Sequence, residues 1–189
     1  MTGVRKGLAK VEVALRWDPS PAGTPANDLD IVAAVYGAAD LYREPVQLVH
    51  FGKRSPDGTI TLNRDSHTGQ GFGFDEVMTI ELERMGEQVR RVVVGVVIQN
   101  ALAGVGAGAG SGGDAGRAKT FADIAGTGFR IREGHTDLVQ GDFGSVSTAT
   151  AATVAEFLRD ASGAWTLDAR VRGFDADPEE YTRAMGSVR

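Results

Sequence analysis

The 189-residue sequence contains no cysteine. Disulfide frameworks, thiol catalysis and zinc–thiolate sites are thereby excluded, and the composition fits a reducing cytoplasm. Basic residues are the minority, 20 against 25 acids, for a formal net charge of −5. Nucleic-acid binding is driven by clustered Lys and Arg, so no nucleic-acid partner is expected. The nearest thing to a basic cluster is "RVR" beside Arg170. No apolar run approaches the roughly 18 residues of a membrane span, and "MTGVRKGLAKVEVALRW" lacks the apolar stretch of a secretory leader. A soluble, cytoplasmic protein without a transmembrane segment is expected.

What is present reads mainly as strands. In "KVEVALRW", Val11, Val13, Leu15 and Trp17 alternate with Glu12, Ala14 and Arg16, the period of a half-buried strand. "LDIVAAVYG" and "PVQLVHFG" read as further strands, and "SPDGTITL" as a turn entering a short one. "VMTIELERM" alternates. The valine run of "QVRRVVVGVVIQN" suits a central strand covered on both faces. "GFRIREG", "TDLVQGDF" and "AWTLDARVRGF" complete the set, while "TATAATVAEFLRDASG" fits strand and helix almost equally. "DPEEYTRAMG" predicts a helix, with Asp177 as N-cap, Pro178 at the first position and Gly186 past the end. The expected fold is all-β: a single two-sheet β-sandwich domain over residues 1–189 with a short C-terminal helix.

The glycine tract "AGVGAGAGSGGDAG", 103–116, is expected to be a flexible surface loop. Gly108, Gly110 and Gly113 satisfy G-x-G-x-x-G there, but so dense a tract produces the pattern by chance. "GDAGRAKT" nearly matches a phosphate-binding loop, yet Ala118 stands where glycine must precede the lysine. His50, His67 and His135 share no ligand spacing, and G-x-S-x-G is absent, so no catalytic triad is found.

Carboxylates are the better lead. "NDLD" sets Asp28 and Asp30 two apart at a strand entrance, where both project from one face. In "RDSHTGQGFGFDE" twelve residues run from Asp65 to Glu76, the span of an EF-hand loop with acids at both ends. His67, Gly69 and Gln70 stand where that loop needs oxygen ligands and its turn glycine, so a helix-loop-helix site is excluded. A hard cation remains one answer, and solvated surface charge is the other.

These segments resemble the TerD family of bacterial tellurium-resistance and stress-response proteins. "GLAKVEVALRWD" is similar to the family's first strand with its Trp-Asp signature, and "DLDI" to its D-x-D segment. "DSHTGQGFGFDE" resembles its glycine-acid loop, typically D-N-x-T-G-E-G-D-G-D-D-E, and "VVVGVVIQNA" and "GAWTLDARVRGF" resemble later strands. The resemblance implies a non-enzymatic, calcium-binding β-sandwich. Position by position it assigns Asp28, Asp30, Asp65, Asp75 and Glu76 as metal ligands. Gln70, Phe72, Phe74 and Asn100 replace acids of the family pattern, which implies one weakened Ca2+ site. Phe72 and Phe74 either share an exposed face that anchors another protein or another copy, or tuck onto the core. A diverged assembly protein with little calcium affinity is therefore the alternative. A metal-assisted hydrolase would further need a separate general base, which the sequence does not offer.

Overall fold

Alternation in the first strand, β1 (Val11–Arg16), places Val11, Val13 and Leu15 in the main core. The computed structural model describes residues 7–99 and 117–187. The glycine tract 103–116 and Asn100 lie outside those residues. Nine further strands follow in the described chain: β2 (Leu29–Gly37), β3 (Gln47–Val49), β4 (Ile60–Arg64), β5 (Glu76–Ile80), β6 (Val89–Ile98), β7 (Gly128–Glu133), β8 (Thr136–Gly141), β9 (Ala151–Arg159) and β10 (Trp165–Phe174). One helix, α1 (Pro178–Ala184), closes it.

The strands form two five-stranded sheets, ordered β4-β5-β1-β7-β8 and β10-β9-β6-β2-β3, with every pairing antiparallel. The sandwich with a short C-terminal helix is thus as the sequence pattern requires. β2 and β6 lie inside the second sheet and are buried along nearly their whole length, because both of their faces are covered. Leu29, Ile31, Val92 and Val94 turn toward the first sheet. Val32, Ala34, Val93 and Val97 turn outward against Tyr181 and Met185, brought there by α1. The helix starts as expected, with the Asp177 side chain accepting a hydrogen bond from the Glu180 N–H at 2.8 Å.

Three segments differ in detail from the sequence pattern. "TATAATVAEFLRDASG", ambiguous by composition, is mostly strand, because β9 pairs on one side with β6 and on the other with β10. The alternation of "VMTIELERM" outlasts the strand: β5 stops at Ile80 and a 3-10 turn, Leu82–Arg84, follows. There the Glu81 and Glu83 amides donate to the Thr59 and Ala9 carbonyls, and Leu82 drops into the core. In "PVQLVHFG" only Gln47–Val49 pair, since the chain reverses at once between His50 and Lys53.

Candidate metal centre

The site lies where the two sheets meet at one end. Asp28 and Asp30 come from the start of β2, Asp65 from the residue after β4, and Glu76 from the first position of β5. β3 pairs only with Ala33 to Val35, so it leaves the Ile31 amide to another acceptor. Glu76 takes it, its Oε2 accepting from the Ile31 N–H at 2.6 Å, and thereby ties the first sheet to the second.

Carboxylate oxygens of Asp30, Asp65 and Glu76 lie within 4.8 Å of one another. Asp30 and Glu76 are buried, and the Asp65 side chain keeps 21% of its exposure. Asp28 joins from the side: the His67 imidazole sits between it and Asp65, with Nδ1 3.5 Å from Asp28 and Nε2 3.3 Å from Asp65. Phe51 packs edge-on against that imidazole, ring centres 4.9 Å apart. The Gln99 side-chain amide donates to Asp30, and the Gln99 backbone N–H donates to the Asp28 carbonyl at 2.9 Å.

Asp75 does not join them. Its Oδ2 accepts from the Trp17 N–H at 3.0 Å, and its own N–H donates to the Leu15 carbonyl at 2.8 Å. It thus fixes the loop onto β1. Trp17 then reaches the other acidic loop, its indole Nε1–H donating to the Asn27 carbonyl at 2.9 Å. Asn27 is held in turn by its Nδ2–H donation to the Asp18 carbonyl at 3.1 Å and by Lys119 Nζ, which donates to Asn27 Oδ1 at 2.8 Å. Lys119, the lysine of the near-match phosphate loop, is therefore engaged in bracing this end of the sandwich. Gly69 makes the clasp possible: with φ +66° it lies so close that a Cβ would stand 2.5 Å from Trp17 Nε1.

The electrostatics follow from the crowding. Burial pushes Glu76 up to about 10, and the neighbouring charge of Asp30, with Asp65 and Asp28, adds to the effect. Burial likewise raises Asp30 to about 6 against the opposing Gln99 hydrogen bond, and raises Asp28 against the pull of His67. Three buried oxygens here accept no hydrogen bond, Asp30 Oδ1, Asp65 Oδ1 and Glu76 Oε1, while Asp28 Oδ1 has only His67 Nδ1, 3.5 Å away. Carboxylates of Asp30, Asp65 and Glu76 gathered this closely are an unfavourable arrangement without a cation or a proton between them. All the donors are hard oxygens, the kind that calcium takes in sets of 6–8. The residues fit such an ion.

The two phenylalanines of the loop part company. Phe72 stands clear of the surface at 101% exposure, while Phe74 lies beneath the Arg130 guanidinium, 4.4 Å from it. Sequence reasoning brought out Asp28, Asp30, Asp65 and Glu76. It passed over Gln99 and Asn27, and it read Trp17 only as a strand residue and a signature.

Known proteins share this architecture. The chain is 51% identical to a protein of unknown function, SAV2460, whose crystal structure superposes with a TM-score of 0.87 over 97% of this chain and 100% of that one. A homologue of telluride resistance protein (TerD), SCO6318 from Streptomyces coelicolor A3(2), is 47% identical with a TM-score of 0.85 and the same coverage. Among curated relatives, Tellurium resistance protein TerD of Alcaligenes sp is 27% identical over 171 residues, 88% of this chain and 82% of that protein. General stress protein 16U of Bacillus subtilis (strain 168) is 24% identical over 178 residues, 92% of this chain and 86% of its own length. A sequence model of the TerD domain matches residues 1–183, and the chain therefore belongs to the TerD domain family.

Proposed function

We propose that this protein is a non-enzymatic, cytoplasmic calcium binder acting in stress response or tellurium resistance. One Ca2+ is held between Asp28 and Asp30 on one loop and Asp65 and Glu76 on the other. Asp75, read from the sequence as a fifth ligand, serves in this proposal to brace the loop against β1. The observation that carries the reading is that Asp30, Asp65 and Glu76, from separate segments of the chain, bring carboxylate oxygens within 4.8 Å of one another and each keeps one buried oxygen with no hydrogen-bond partner. Its membership of the TerD domain family and its similarity to stress and tellurium-resistance proteins support the physiological half. Calorimetric titration of metal-free protein with calcium tests it. A saturable heat with one ion per chain is expected, and no heat at millimolar calcium would remove the proposal.

The metal-free protein should also show an unusual pH dependence. Asp30 and Glu76 have ordinary carboxyl values of 3.8 and 4.5, raised on folding to about 6 and about 10. Between those limits the folded chain binds more protons than the unfolded one, so stability falls as pH rises. Its contribution is complete below the ordinary values and is lost first through Asp30, then through Glu76. Calcium must displace the same protons, so its affinity is expected to rise with pH, by up to about tenfold per pH unit for each proton released. Melting curves with and without calcium, recorded from mildly acidic to mildly alkaline pH, should diverge steadily.

A second reading, an assembly protein with little calcium affinity, rests on Phe72, the fully exposed ring at the tip of the loop. It would be favoured if the calcium heat were absent.

A further inference from the structure

Away from the acidic loops, the outer face of the second sheet carries a groove of about 300 Å³. Two irregularities lie beside it at one level of β9. β6 and β10 both shift register against Ala155 and Thr153, between Val94 and Gly95 and between Ala169 and Arg172. A bulge re-aims the side chains beside it, and here Asp168, Arg170 and Arg172 of β10 all line the groove.

Its floor is rigid. Arg91 is only 2% exposed. It donates to both Glu156 oxygens, Nε at 2.9 Å and Nη2 at 2.8 Å, while Nη1 donates to the Leu41 and Gly186 carbonyls at 2.8 and 2.7 Å. Tyr42 covers that guanidinium, 4.9 Å from its ring centre. The charges of Arg91 and Glu156 therefore answer each other, which leaves, among the described residues of the lining, two arginines and one carboxylate, Asp168. The Arg170 side chain makes no hydrogen bond or ion pair among the described residues. Arg172 donates to the Ser187 carbonyl at 3.2 Å and lies over the Phe174 ring, again with no acid partner among the described residues.

Charged side chains on an edge strand commonly serve to discourage pairing with another chain. That role explains an arginine on β10, but not a concavity with a locked ionic floor and, on its wall, two arginines with no acid partner among the described residues. Guanidinium forks match the oxygens of a phosphate, whose monoesters carry nearly two charges near neutral pH. The volume sits at the lower end for small-molecule sites. We propose that this groove binds the phosphate monoester of a small hydroxylated molecule, with Arg170 and Arg172 on the phosphate and Asp168 accepting from a hydroxyl.

The test uses the full chain stripped of metal with chelator, so that it is independent of the calcium reading. Ribose 5-phosphate and inorganic phosphate are titrated by calorimetry against wild type, Arg170→Ala, Arg172→Ala and the double variant. Ribose 5-phosphate is expected to bind more tightly than inorganic phosphate, and each arginine lost to weaken it about tenfold, the scale of hydrogen bonds to a charged group. Circular dichroism melts confirm that the variants fold. The proposal is overturned if neither ligand binds at millimolar concentration, or if the double variant binds as wild type does. It is equally overturned if sodium chloride of matched ionic strength reproduces the signal.

Discussion

Calcium at about a hundredfold above its dissociation constant is expected to stabilise the protein by about 2.7 kcal/mol. For a chain of this length that raises the melting temperature by roughly 5–11 °C, and Glu76→Gln is expected to abolish the response. Glutamine keeps the shape of Glu76 and leaves a carbonyl oxygen to accept from the Ile31 N–H. What it removes is the negative charge that the proposed ion would require, at the most buried of the clustered carboxylates. In metal-free protein the same substitution has the opposite sign. Glu76 pairs one satisfied oxygen with one orphan, beside the orphaned oxygens of Asp30 and Asp65. A side-chain amide can donate toward those oxygens and carries no charge to desolvate. Metal-free Glu76→Gln is therefore expected to be more stable at mildly alkaline pH, by about 2 kcal/mol on the scale of one unsatisfied buried group. That is roughly 4–8 °C. A calcium-induced shift that survives in the variant would place the ion elsewhere.

The second large effect concerns the core. Gly95 interrupts the valine run of β6, and the Tyr181 hydroxyl fills the space its missing side chain leaves. A Cβ at this position would stand 1.7 Å from that hydroxyl and 2.6 Å from the Ala152 carbonyl that accepts its hydrogen bond. Gly95→Ala must displace either α1 or β9, and overpacking of this kind costs about 3 kcal/mol. A melting temperature lower by roughly 6–12 °C is expected. Tyr181→Phe should recover part of the loss in the Gly95→Ala background while destabilising the native sequence, because it removes the clashing oxygen. Such non-additivity in a double-mutant cycle distinguishes the contact from a general intolerance of β6. Calcium affinity should survive in whatever fraction folds, as neither residue touches the acidic loops.

Much of the sandwich was legible because its strands have covered faces that write themselves as period-two or continuous apolar runs. β1, β2 and β6 were read with bounds close to those observed, and α1 announced itself through Asp177 and Pro178. β9 was ambiguous because Ala, Thr and Val in "TATAATVAEF" suit either state, and only its two neighbours decide. The end of β5 was hidden since alternation persists through Glu81 and Leu82 while the ladder does not.

In the candidate site, acids at fixed places in a glycine-rich loop singled out Asp65 and Glu76, which the structure brings beside Asp30, and strand parity paired Asp28 with Asp30. The same parity argument bears on Asp75. Neighbouring residues at a strand start project to opposite sides, so Asp75 and Glu76 are not set to face one ion together. The supports escaped notice for another reason. Gln99 lies 69 residues from Asp30, and Glu76 lies 45 from the Ile31 amide it holds. Such meetings depend on sheet order, and no local pattern encodes that order.

The central claim is that two loops from different sheets enclose one cation, and a crystal structure determined with millimolar calcium tests it most directly. Density for an ion bonded to oxygens of Asp30, Asp65 and Glu76, with His67 displaced from between Asp28 and Asp65, is the expected result. Diffraction from calcium-soaked crystals that shows those carboxylates within hydrogen-bond distance of one another and no density for an ion between them would contradict it.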